Sequence, residues 1–165
     1  MTVTETWRPI PGHQGYEASS LGRVRSVDRV VIDSRGRRMR YSGRVLRVRM
    51  SNRGYLTTTL GSARAQLIHN LVSAAFLGPK PSGLLTRHVN DNRTDNRVEN
   101  LAYGTPADNN HDAVRNGRNR NANRTHCQEG HPYSGDNLAV DANGHRRCRA
   151  CRRSRARESW QVRAS

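Results

Sequence analysis

The stretch from Leu84 to Gly117, LLTRHVNDNRTDNRVENLAYGTPADNNHDAVRNG, sets one histidine, His88, ahead of a run rich in asparagine. An imidazole near its ordinary pKa can take a proton from water at neutral pH, and does so better when a neighbouring carbonyl or amide fixes its tautomer. Asparagine offers a neutral oxygen that can hold a hard cation, or brace a loop through backbone hydrogen bonds. Hydrolysis of a phosphodiester needs a base, a cation and a route for protonating the leaving oxygen. His88 is the candidate base among the chain's seven histidines, against the plain reading of a structural or solvent-exposed residue.

A second constellation lies near the end of the chain. All three cysteines fall between Cys127 and Cys151, as Cys127-x3-His131 and, after a 16-residue gap, Cys148-x2-Cys151. An odd number of cysteines argues against a disulfide set, and two close ligand pairs flanking a loop of this size suit tetrahedral zinc better than a redox CxxC. His126 and His145 are alternative nitrogens, with His131 preferred for its spacing and the Pro132 that follows it. Arg149, Arg152 and Arg153 crowd the second pair and are candidates to hold phosphates.

Net charge sets the partner class. A formal charge of +16 and a pI of about 11.5 imply a polyanion, with nucleic acid as the default. Only Lys80 is a lysine, so nearly all the positive charge is arginine, whose fork grips phosphate or guanine in pairs of bonds. The start, MTVTETWRPIPG, lacks a secretion signal, and no apolar run reaches membrane-spanning length; the expectation is a protein that stays inside the cell, away from the membrane.

The elements that must position these groups read as α+β. Residues 1–65 have the glycines, prolines and alternating patterns of a basic β module, with strands over Arg23–Ser26, Val45–Arg49 and Tyr55–Leu60. Arg23, Arg25, Arg47 and Arg49 alternate along those strands and are candidates to face a duplex, against the plain reading of a solvated basic face. From Gln66 the apolar residues recur at helical spacing until Gly78-Pro79 stops them. Arg97–Leu101 forms a second short element, and Pro106–Asn116 reads as a helix with Thr105 as N-cap and Gly117 beyond its end. The run NGRNRNANR, 116–124, reads as a linker, dividing a core over 66–117 from a basic tail over 118–165.

The middle stretch resembles the HNH homing endonuclease family, particularly its phage-type members. The similar pieces are His69-Asn70-Leu71-Val72, Arg87-His88 followed by Asn90-Asp91-Asn92, Asn96-Arg97-Val98-Glu99-Asn100-Leu101, and Thr105 with Asn109-Asn110. The resemblance implies a ββα-metal nuclease acting on double-stranded DNA with Mg²⁺ or Mn²⁺ and a phage or prophage origin. It makes His88 the general base, on the second strand of the hairpin. It makes Asn100 the brace that holds the loop by backbone hydrogen bonds and can orient the base, against the plain reading of a cap for the turn before Leu101, and Asn109 the metal ligand at the start of the closing helix, against that of a solvated helix residue. His69 also matches a family position, where its place at a helix start favours a structural or DNA-backbone role over chemistry. Many relatives carry aspartate where this chain has Arg87, which cannot bind a cation and is instead expected to contact the scissile phosphate. Asp91, Asp108 and His111 are open substitutes as ligands. The segments Trp7–Gly12, Tyr16–Ser19 and Leu21–Ser26 are similar to the nuclease-associated modular domain that precedes such cores. Rival readings are a DNA-binding regulator that keeps the fold without cleaving, and an RNA-binding zinc module; a monomer is expected.

Overall fold

The structure, a computed structural model, describes residues 4–164. It divides into two compact units, Met1–Asn116 and Gly117–Ser165. In chain order the strands of the first unit are β1 (Trp7–Pro9), β2 (Tyr16–Ser19), β3 (Val24–Ser26), β4 (Arg29–Ile32), β5 (Arg38–Tyr41), β6 (Arg44–Val45), β7 (Arg49–Met50), β8 (Leu56–Thr58) and β9 (Gln66–Leu67). Helix α1 (Ile68–Phe76) follows, then the pair β10 (Leu85–His88) and β11 (Leu101–Gly104), and helix α2 (Pro106–Arg115) closes the unit.

Strands β1-β2-β3-β6 form one sheet and β7-β8-β9 another, while β4 and β5 pair only with each other. The expected strand over Val45–Arg49 is therefore two strands in two sheets. Leu46 turns inward against the core between them, so its pattern of apolar residues alternating with arginine reflects a crossing from one sheet to the next. The helix expected from Gln66 begins two residues later: Gln66 and Leu67 are drawn out into β9 by pairing with Thr58 and Thr57. Ile68, Leu71 and Val72 then repeat on one buried face of α1.

That face meets both neighbours. Ile10, Ala18, Val24 and Leu60 from the N-terminal strands, Ile68, Leu71 and Val72 from α1, and Leu101 from the hairpin form a single hydrophobic cluster. The border at 65/66 runs through this shared core. Helix α2 starts as expected, with Thr105 and Asp108 in a reciprocal capping box and Pro106 in the first turn.

The second unit is built differently. It holds β12 (Leu138–Val140) paired with β13 (Arg146–Cys148), then helix α3 (Arg149–Ala164). Among the described residues the one buried apolar side chain in this unit is Cys148.

Candidate active site

Strand β10 places its last two side chains on opposite faces, as a pleated strand must. His88 pairs with Leu101 across the hairpin and is 5% exposed. It ends the first strand of the hairpin, a correction to the expected second strand: the partner strand lies after the loop, beyond Asn100. The rings of His69 and Tyr55 surround His88. His69 meets it edge-on at 5.0 Å between centroids, and Tyr55 lies 6.0 Å from His88 and 5.1 Å from His69. Arg93 covers the outer side of Tyr55 at 4.9 Å.

This cage keeps both histidines neutral. Burial pushes His69 down to about 4, with the nearby charge of His88 acting the same way. Burial also lowers His88 from its usual range, opposed by its hydrogen bond to Asn96 and by the Asp95 carboxylate, with Arg93 lowering it further and Asp91 raising it. A neutral imidazole at neutral pH is the state a general base requires.

The loop between the strands is held by its own asparagines. The Asn100 side-chain oxygen accepts from the Asn90 N–H at 2.9 Å, its amide donates to the Asp95 carbonyl at 2.7 Å, and its backbone carbonyl accepts from Val89 at 2.9 Å. Asn100 thus ties the two ends of the loop together. The side chain that meets His88 is a different one: Asn96 Oδ1 lies 3.1 Å from His88 Nε2, and Asn96 is 3% exposed. Sequence reasoning quoted Asn96 within a motif without giving it a part. No sequence signal marks it, because Asn96 is a buried residue in an otherwise largely exposed loop and meets His88 only through the way that loop folds.

Arg87 points the other way, toward α2. Its guanidinium bonds the Asp112 carboxylate, which is 2% exposed and also holds Arg115. A Cβ at Gly104 would sit 2.6 Å from Arg87 Nε, so a larger residue there would push the guanidinium aside. The expectation of an Arg87 free to reach a phosphate is replaced by a partnered one, because Asp112 supplies the anion from the facing helix. Asn109 lies one turn before Asp112 on α2, exposed, and its side chain makes no hydrogen bond among the described residues. Of the open substitutes, Asp108 is committed to the capping box and His111 is exposed on α2; Asp91 takes a left-handed conformation, φ 58°, in the loop after His88.

The candidate DNA-contacting arginines fall into three settings. Arg23 bonds Glu5 at 2.9 Å and Arg25 bonds Glu17 at 2.7 Å, both over the Trp7 ring, so each is partly neutralised. Arg47 and Arg49 are exposed around β7, as are Arg149, Arg152 and Arg153 on α3. The β4-β5 ribbon was missed. Its strands are exposed from Val30 onward, it carries Arg38 and Arg40 with Arg35 and Arg37 at its turn, and the Asp33 carboxylate fixes that turn by accepting from the Arg35 and Arg37 N–H groups.

In the second unit Cys127, His131, Cys148 and Cys151 converge, their ligand atoms all within 4.8 Å of one another. Cys127 Sγ lies 3.5 Å from both His131 Nδ1 and Cys151 Sγ, and His131 Nδ1 lies 3.3 Å from Cys151 Sγ. Donors bonded at zinc distances span roughly 3.4–3.8 Å along a tetrahedron's edges, so the set fits a structural metal site. The Cys151 N–H lowers the Cys148 thiol to about 6, whereas burial, and then the neighbouring thiols, push Cys151 up to about 12.

With this geometry described, comparison with known proteins is direct. Residues 5–61 match the NUMOD4 motif and residues 66–111 match the HNH endonuclease family. In chain order, a segment similar to the NUMOD4 motif therefore precedes one similar to the HNH endonuclease family. An uncharacterized HNH endonuclease of Acanthamoeba polyphaga mimivirus is 30% identical over 122 residues, covering 68% of this chain and 27% of that protein. The solved structure of DNA binding and cleavage by the HNH homing endonuclease I-HmuI matches with a TM-score of 0.52 at 23% identity, over 68% of this chain and 60% of that one. That second likeness is one of fold. It agrees with the mixed α+β architecture and the hairpin-helix arrangement of the HNH segment.

Proposed function

We propose that the protein is an endonuclease that hydrolyses phosphodiester bonds in double-stranded DNA with a divalent ion, Mg²⁺ or Mn²⁺, acting as a monomer inside the cell that carries its target. The observation that carries this reading is the buried, neutral His88 ending a hairpin strand with one ring nitrogen tied to Asn96. With the ring proton on Nε2, that N–H donates to Asn96 Oδ1, and Nδ1 keeps the lone pair. Nδ1 accepts a proton from water, the water oxygen bonds to phosphorus, and the bond to the leaving deoxyribose oxygen breaks with its electron pair on that oxygen, which takes a proton from solvent. Asn109 would hold the cation, which supplies charge stabilisation at the phosphate. Among the described residues no cluster of three His, Cys, Asp or Glu donors lies at this end of the molecule, so the fit is to an ion that keeps most of its waters and takes one protein oxygen. Zinc would occupy the Cys127, His131, Cys148 and Cys151 site as a structural ion. Arg47 and Arg49, Arg149, Arg152 and Arg153, and the β4-β5 ribbon supply phosphate contacts.

One observation favours a second reading, a DNA-binding protein without cleavage: the Arg87–Asp112 pair occupies the hairpin position where many relatives carry an acidic ligand. Incubation of a mixed DNA library with Mg²⁺ or Mn²⁺, followed by sequencing of the ends, separates the two. Cation-dependent cutting that His88→Ala abolishes while binding persists supports the nuclease. Binding without cutting supports the regulator.

A further inference from the structure

The loop that carries Asn96 does not stand by itself. The Val98 N–H donates to the Ser20 carbonyl at 3.0 Å, which clips the loop to the turn between β2 and β3. Gly22, in the same turn, has φ +82° and lies so close that a Cβ would be 2.7 Å from the Asn96 carbonyl carbon, 2.8 Å from its oxygen and 2.9 Å from its Cβ. That approach allows glycine alone on both steric and conformational grounds. A second contact is made by Tyr55, just before β8, whose ring closes the cage over His69 and His88, while Arg93 reaches back to the Arg53 carbonyl at 2.7 Å. Gly22 and Tyr55 lie within the segment that matches the NUMOD4 motif, and Asn96 and His88 within the HNH segment.

We propose that Asn96 is the positioning residue that fixes the tautomer and orientation of His88, and that the NUMOD4 segment, through Gly22, Ser20 and Tyr55, holds Asn96 and His88 in that arrangement. The N-terminal module is then a wall of the catalytic site as well as a surface for DNA. The chemistry favours Asn96 over Asn100 for this part: Asn100 uses its side chain on backbone groups of the loop, whereas Asn96 presents its oxygen to the imidazole. The Asn96 Nδ2 is buried without a partner, a cost that places the amide's function at its oxygen end. The charged groups acting on His88 include Asp95, Arg93 and Asp91, and the neighbouring rings facing it are His69 from α1 and Tyr55. An exchange at Asn96 therefore acts on the imidazole directly.

This inference rests on His88 being the base, and its test keeps the two apart. In the full chain, ¹⁵N spectra of the imidazoles report which nitrogen of His88 is protonated, and the pH dependence of DNA cleavage reports its titration. Wild-type His88 carries its proton on Nε2. Asn96→Asp places a carboxylate against that N–H and stabilises imidazolium, so the acid limb of the rate profile moves up by about one pH unit. Asn96→Ala releases the tautomer and lowers cleavage tenfold or more, with DNA binding kept. Gly22→Ala gives the same mixed tautomer. Where that variant does not fold, Tyr55 decides the module's part: Tyr55→Leu lowers cleavage about tenfold and Tyr55→Phe restores it. An unmoved acid limb in Asn96→Asp and a wild-type tautomer in Asn96→Ala overturn the role of Asn96, and wild-type rates in Tyr55→Leu and folded Gly22→Ala overturn that of the module. Cleavage that survives His88→Ala overturns the base itself.

Discussion

The two units of this chain solve the same problem by opposite means. Both must hold a strongly cationic chain together, and the first does so with an apolar cluster joining three parts of the sequence, from Ile10 through Ile68 to Leu101. The second has no such cluster among its described residues; its four soft donors converge where a core would be. Charge on this scale disfavours compaction. An apolar core counters it with area removed from water, which needs a sheet and a helix face. A metal site counters it at one point, which suits a unit of about 50 residues.

The largest expected effect tests that contrast. Chelation, or Cys151→Ser, should unfold the second unit outright, since structural zinc is worth about 10–16 kcal/mol in small modules. The far-ultraviolet signal and amide spectrum of the first unit should persist. A purified protein whose second unit stays folded without metal would remove the distinction. Next in size is Asp112→Ala, which leaves Arg87 partly buried without its anion and should cost about 3–5 kcal/mol. That loss should appear in the melting of the first unit alone.

A smaller effect, confined to the same unit, comes from its neutral histidines. In the unfolded chain His69 and His88 protonate near pH 6.5, whereas in the folded state His69 resists until about 4. Unfolded chains thus bind more protons below pH 6.5, so stability is full above that value and falls as pH drops toward 4, by roughly 3 kcal/mol for His69. Melting temperature measured across that window, with His69→Phe as the control that flattens the slope, checks both sign and source. Smallest is Thr105→Ala, which removes one half of the α2 capping box and should cost about 1 kcal/mol, seen as earlier exchange of the first-turn amides of α2.

Much of this was legible in the sequence because it rests on local rules. Thr105, Pro106 and Asp108 announce their helix start; the Cys127–Cys151 spacings announce a ligand set; the asparagine run announces a braced loop. What escaped depends on contacts distant in sequence. That Asn96 rather than Asn100 meets His88 follows from how the loop folds over Gly22, and that Arg87 is taken by Asp112 follows from α2 crossing the hairpin face. The strand register that put His88 first in its hairpin could not be read from a pattern of four residues. The split between β6 and β7 was hidden because alternation looks the same whether one sheet or two receives it.

The β4-β5 ribbon has a consequence for handling the protein. It is two strands wide with both edges open, and Val31, Ile32, Met39 and Tyr41 lie exposed along it. Open edges with apolar side chains invite pairing with the same ribbon of another molecule. Arg38 and Arg40, interleaved among them, act as gatekeepers, since like charges oppose each other when two ribbons approach. The net charge of +16 thus opposes self-association, and neutralising these arginines, by substitution or by excess polyanion, should promote aggregation.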